Sequence, residues 1–255
     1  MEQQGYVDYS VDQAVGTIRF FHPAHNALPA YLLEALTAAV ERGGADPAAH
    51  VLRLESAGDR TFCAGASFDE LAAVTDEAAG IKFFSGFAAV INACRRCPKL
   101  IIGRVQGKAV GGGVGIAAAT DYCFATEAAA IRLSELTLGI GPFVVAPAIE
   151  RKIGLAALSR LAIRASEWQS AAWAREHGLY TELFADIAGM DAAMATLAAE
   201  LAASSPAAMR ALKQMLWQGT EHWDTLLAER AALSGMLILS AQARAAMAAF
   251  KAGKR

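Results

Sequence analysis

Val105-Gln-Gly-Lys-Ala-Val-Gly-Gly-Gly-Val-Gly-Ile-Ala117, with Asp121 four residues further on, holds the densest glycine run of this 255-residue chain. The β-branched, apolar residues 100–105 before it read as a strand, and 114–119 after it as an apolar helix. A glycine-rich turn between a strand and a helix has two chemical readings. As Gly113-x-Gly115-x-x-Ala118 it fits the dinucleotide fingerprint, with the acidic Glu135 about 20 positions on. That reading makes the chain an NAD-dependent oxidoreductase. Against it, the turn lies mid-chain, and strand–helix alternation fades after Glu135. The second reading is an oxyanion site. Glycines let backbone approach a ligand closely, and backbone N–H groups unpaired at a helix start bind developing negative charge. A second Gly/Ala loop, Cys63-Ala-Gly-Ala66, also follows a strand and opens a helix. Two such loops aimed at one carbonyl oxygen would stabilise an enolate.

Outward from this centre, residues 6–10 and 15–21 read as a β-hairpin around Asp12-Gln13. Apolar spacing predicts a helix over 29–43, stopped by Gly43-Gly44, and a strand over 51–55. A long helix is expected over 77–96, and short strands over 121–125, 130–133 and 180–184. Ser205-Pro206 is an N-cap followed by proline at the first helical position. It opens the first of three closing helices, expected over 206–218, 224–238 and 241–251. The fold class is therefore α/β, with a mixed core over 1–190 and a helical region over 191–255.

Hydrophobic residues make up 55% of the chain even before its 22 glycines are counted, and mean hydropathy is +0.31. The average for soluble domains is roughly 45–50% with glycine included. This excess does not predict a membrane span. The longest stretches free of Asp, Glu, Lys and Arg, 20–33 and 136–149, are too short and contain proline. A formal charge of −2 leaves no basic footprint for nucleic acid. The N-terminal segment carries acids and no apolar stretch, so a cytoplasmic protein is expected. The remaining apolar surface suggests burial against other subunits.

Cys94-Arg-Arg-Cys97 has the spacing of a zinc half-site or a redox pair, but no second pair matches it. Its place at the end of a long helix before Pro98 predicts buried thiols. The five histidines show no metal spacing, and no G-x-S-x-G elbow is present.

The ordered set of segments resembles one family. Phe62-Cys-Ala-Gly-Ala-Ser-Phe-Asp-Glu-Leu71 is similar to the F-C-A-G-A-D-x-x-E-hydrophobe segment of the crotonase, or enoyl-CoA hydratase/isomerase, superfamily. The 105–117 run with Asp121 resembles its V-x-G-x-A-x-G-G-G-x-E-L-A motif and the C-D after it. Leu133-Ser-Glu-Leu-Thr-Leu-Gly-Ile140 resembles F-x-x-P-E-x-x-L-G-I, and His22-Pro-Ala-His-Asn-Ala-Leu28 resembles R-P-x-x-x-N-A-L. Ser205–Lys213 and Met247–Arg255 are similar to its C-terminal helices.

This resemblance implies a crotonase-like spiral of ββα units with a C-terminal helical trimerisation region, in a homotrimer or a dimer of trimers. It implies an acyl-CoA thioester substrate, with no cofactor beyond the coenzyme A the substrate carries, and no metal. The oxyanion donors would be the backbone N–H groups of Ala66 and Gly112, with Ala64, Gly65 and Gly111 beside them on the substrate. Phe250 and Lys254 would reach the CoA nucleotide from a neighbouring subunit. Family hydratases use two glutamates. One corresponds to Glu135; the other falls at Gly115, which can neither hold water nor transfer a proton. The expectation is a single-acid enolate reaction, with enoyl-CoA double-bond isomerisation favoured. Leu138-Gly-Ile-Gly-Pro-Phe143 also resembles the Δ3-Δ2-enoyl-CoA isomerase branch. Hydration remains open if Asp69, Glu70 or Glu150 supplies a second acid. A degenerate acyl-CoA-binding homologue is the non-enzymatic alternative.

Overall fold

The computed structural model describes residues 4–253. Strand β1 (Tyr6–Asp12) pairs antiparallel with β2 (Val15–Phe21) through a tight turn in which Gln13 and Ala14 both take positive φ. That conformation matches the twist of a two-residue hairpin, so the turn lies one residue later than the sequence suggests. Helix α1 (Ala30–Ala45) then returns the chain to β3 (Val51–Ser56), which lies parallel to β2. The predicted stop at Gly43-Gly44 does not occur. Both glycines are buried, Gly43 against Leu52 and Tyr9 and Gly44 against Cys97 and Pro98. Close packing outweighs their weak helix propensity, and α1 runs on until Asp46-Pro47.

From here the chain repeats one step: long strand, corner, short strand, helix. β3 is followed by β4 (Thr61–Cys63), the short α2 (Phe68–Ala72) and the long α3 (Glu77–Arg96). Then come β5 (Ile101–Val105), β6 (Lys108–Val110) and α4 (Gly112–Ala118). Next are β7 (Tyr122–Thr126), β8 (Ala130–Arg132), a 3-10 turn at Glu135–Leu138, and α5 (Ala146–Ile163). The three-residue strands β4 and β6 were not predicted, being too short to show alternation. Successive corners stack tightly. A Cβ on Gly107, between β5 and β6, would lie 2.1 Å from the carbonyl oxygen of Arg60, between β3 and β4.

β9 (Gln169–Ser170), α6 (Ala171–Glu176), β10 (Glu182–Phe184) and α7 (Ile187–Ala202) complete two sheets. One has the order β1-β2-β3-β5-β7-β10 and the other β4-β6-β8-β9. Apart from the β1–β2 and β8–β9 pairs, neighbouring strands are parallel. All five residues of β5 are buried, as expected for a parallel strand covered on both faces. The six-stranded order runs outward without reversal. It therefore lacks the switch-point crevice where doubly wound sheets hold dinucleotides, and the Rossmann reading is corrected.

Residue 190 lies within α7, whose Met190, Met194 and Ala198 pack on Val51, Ile102 and Phe124. Helices α8 (Pro206–Leu216), α9 (Trp223–Leu237) and α10 (Ala241–Gly253) follow. α9 lies along α3, where Gly80 and Gly235 meet backbone to backbone. Asp121 anchors α8. Its carboxylate accepts Lys213 Nζ at 2.7 Å, Trp217 Nε1 at 2.7 Å and the N–H of Ile101 at 2.7 Å, with both members of the ion pair buried. No single helix among the described residues is long and apolar enough to cross a membrane.

Candidate active site

Where the β4–α2 and β6–α4 loops meet, the protein holds a cavity of about 620 Å³. Ala64, Gly65, Ala66, Gly111, Gly112 and Glu135 share its wall. The loops are set by a chain of local contacts. Asn26, buried and with positive φ, donates from Nδ2 to the carbonyls of Ala57 and Thr61, both at 2.9 Å, and accepts the N–H of His22. This fixes the His22–Leu28 turn. Leu28 then bridges Ala66, donating to Gly65 O at 2.8 Å and accepting from Ser67 N at 3.2 Å. The Ser67 hydroxyl caps α2. It accepts the N–H of Glu70 at 3.4 Å and does not engage the N–H of Ala66.

Among the described residues, the N–H groups of Ala66 and Gly112 meet no acceptor. The loops carrying them are adjacent: a Cβ on Gly65 would stand 3.8 Å from Gly112 N. Gly112 is pressed against Phe87 of α3, which forms the facing apolar wall with Phe84. N–H groups without an acceptor on a cavity wall mark a place where a ligand acceptor belongs.

Glu135 opens the 3-10 turn and points back across Gly111. Its Oε2 is shielded from solvent and accepts no hydrogen bond. Burial pushes its carboxyl up to about 7; its own backbone N–H and the charge of Arg132 act the other way. A carboxyl poised there can both take and return a proton near neutral pH.

Gly115 lies inside α4, and a Cβ there would fall 2.5 Å from Val145 Cγ1. Val145 lines the cavity where a second acid would project. The other candidate acids are placed differently from one another. Glu70 accepts the N–H of Ala30 at the start of α1, and Glu150 is exposed on α5. Asp69 reaches the cavity wall but is exposed in the first turn of α2.

Phe250 stacks on Phe68 of its own chain, with ring centroids 4.7 Å apart, and lines its own cavity. α10 packs on the 3-10 turn that carries Glu135, so the chain folds its tail over its own site. Lys254 lies outside the described residues. Burial pushes the thiols of Cys63, Cys94 and Cys123 up to about 12 and raises that of Cys97, which favours the thiol form at all four. Among the cavity residues missed in the sequence are Phe84, Phe87, Val145 and, as the one cation of this group, Arg132. Its only signal there was a cation three positions before Glu135.

The sequence model of the enoyl-CoA hydratase/isomerase family matches residues 10–252. The chain belongs to the enoyl-CoA hydratase/isomerase family. Its relatives include a protein of Bacillus subtilis (strain 168) named "Probable enoyl-CoA hydratase", 29% identical over 83% of this chain and 81% of that one. They also include the peroxisomal Delta(3,5)-Delta(2,4)-dienoyl-CoA isomerase of Arabidopsis thaliana, 25% identical over 83% of this chain and 80% of that one. The crystal structure of an enoyl-CoA hydratase from Bacillus halodurans superposes with a TM-score of 0.88, covering 96% of this chain and 99% of the other. At 19% identity, it shows the shared fold. This enoyl-CoA hydratase/isomerase family member is thus an enzyme of a family acting on acyl-CoA thioesters.

Proposed function

We propose that the chain is an enoyl-CoA isomerase that moves a double bond through a thioester dienolate, with Glu135 as its one acid/base. The observation that carries this reading is the pairing of a shielded Glu135 with Val145 packed against Gly115. One carboxylate is enough for a proton that leaves and returns. Hydration needs further help to hold a water. Ionised Glu135 takes a proton from C2 of a 3-enoyl-CoA. The C2–H pair becomes the C1=C2 bond of the dienolate; on collapse C1=O re-forms, the C1=C2 pair shifts to C2–C3 and the C3=C4 pair takes up the proton at C4. Glu135 then gives the same proton to C4, releasing the 2-enoyl-CoA with no net proton exchange. Negative charge on the thioester oxygen is met by the N–H groups of Ala66 and Gly112, which need no reorganisation to receive it.

The same reading includes assembly as a trimer or a dimer of trimers. It is supported by apolar residues left exposed on α8 (Leu212, Met215, Leu216) and α5 (Leu155, Ile163). Light scattering at micromolar concentration tests this; a monomer sinks it.

The activity test uses purified protein with a 3-enoyl-CoA and, separately, crotonyl-CoA. Isomerisation of the first without hydration of the second is expected. Hydration of crotonyl-CoA at a turnover typical of enzymes, on the order of 10 per second, overturns the isomerase reading.

A further inference from the structure

Arg132 ends β8 on the cavity wall, three residues before Glu135, and its carbonyl accepts the N–H of Gly111 at 2.9 Å. β8 pairs antiparallel with β9, with Ile131 opposite Gln169. One step further in that register, Trp168 faces Arg132, and the guanidinium carbon lies 4.6 Å from its ring centroid. Lys108, on the neighbouring strand β6, places its Nζ 5.0 Å from the same centroid. The indole thus holds the guanidinium plane in place.

What Arg132 lacks is an anion within salt-bridge distance. Among the described residues it forms no salt bridge and donates no side-chain hydrogen bond, and its Nε is shielded from solvent with no partner. A role limited to keeping Glu135 ionised is not supported. Glu135 Oε2 accepts nothing, and no ion pair or hydrogen bond joins the two side chains among the described residues. An oriented guanidinium that donates to no group of its own chain is a fork for a carboxylate or phosphate. Ser134 and Ser166 add hydroxyls to the same wall.

We infer that Arg132, braced by Trp168, binds a carboxylate at the far end of the acyl chain. The preferred substrates are then CoA monothioesters of dicarboxylic acids. This rests on the acyl-CoA reading of the cavity. The acyl end is favoured over the CoA phosphates because Arg132 is tied through its backbone to Gly111, beside the carboxyl of Glu135. The pantetheine arm carries the phosphates away from the thioester.

The test is equilibrium binding of two saturated, unreactive thioesters of equal carbon number, glutaryl-CoA and pentanoyl-CoA, by calorimetry. Wild-type protein is expected to bind glutaryl-CoA at least about 10-fold more tightly, the size of one charge-assisted pair. Arg132→Gln should remove that preference while leaving pentanoyl-CoA binding within about 2-fold, and Arg132→Lys should keep part of it. Equal binding of the two ligands by wild type overturns the proposal, whatever the variants do. Equal weakening of both ligands by Arg132→Gln also overturns it, because that outcome assigns the guanidinium to a CoA phosphate. In both cases pentanoyl-CoA binding leaves the acyl-CoA reading standing. If wild type binds neither thioester, both readings fall.

Discussion

A Cβ on Gly111 would stand 2.8 Å from Oε1 of Glu135. Gly111 also has φ +51° and ψ −115°, a conformation costly for any residue with a side chain. Gly111→Ala should therefore displace the carboxyl and strain the loop together. The expected outcome is at least a 100-fold loss of kcat/KM, the scale of an ångström-sized misplacement, with stability reduced by about 1–3 kcal/mol. A fully active, fully stable variant would show that Glu135 does not need this seat.

Replacing the carboxyl itself is a sharper probe. Glu135→Gln keeps the shape and removes the proton shuttle, so the isomerisation rate should fall roughly 100- to 10,000-fold. In wild type the ionised form starts the reaction, so kcat/KM should rise with pH and level off above about 7. A flat profile between pH 5 and 9 would remove Glu135 from the rate-limiting proton transfer.

The same carboxyl makes a linked prediction about stability. Its pKa is raised on folding, from 4.5 to about 7. Its contribution is therefore fully present below about pH 4.5 and is lost as pH rises through 7. Relative to Glu135→Gln, wild type should lose about 3 kcal/mol at most across that window. Urea unfolding at pH 4.5 and pH 8 measures the difference; an opposite sign contradicts the burial of Glu135.

Restoring a second glutamate should fail. In Gly115→Glu the new side chain meets Val145, whose Cγ1 is 2.5 Å from a Cβ at that position. The variant should lose about 1–3 kcal/mol or more from overpacking and gain no crotonyl-CoA hydration. Gly115→Glu with Val145→Ala should recover stability. Hydration by the single variant would mean that the helix shifts to admit the acid.

Away from the cavity, Lys213→Met leaves the Asp121 carboxylate buried without its cation. A loss of about 3–5 kcal/mol is expected by denaturant unfolding, with activity per folded molecule unchanged. A loss under about 1 kcal/mol would assign the work to Trp217 Nε1 and Ile101 N alone.

Much of this enzyme was legible in its residues because its central devices are local. The two Gly/Ala loops, the long helix over 77–96 and the proline-started helix at 206 each depend on neighbours a few positions away. The absence of an acid at Gly115 needed only the residue itself. The role of Glu135, like the expectation of an acid at Gly115, came from the resemblance of the surrounding motifs to the family.

Other features were decided by contacts between distant segments. Val145 fills the space beside Gly115 because α5 packs on α4. Arg132 meets Trp168 through the β8–β9 register, Asp121 takes its cation 92 residues on, and Phe250 returns over its own cavity. Turn chemistry and backbone approach are properties of the residue at a position, and sequence alone determines them. The direction of a side chain, and what it finds there, depends on packing among elements whose separation in sequence carries no record of their distance in space.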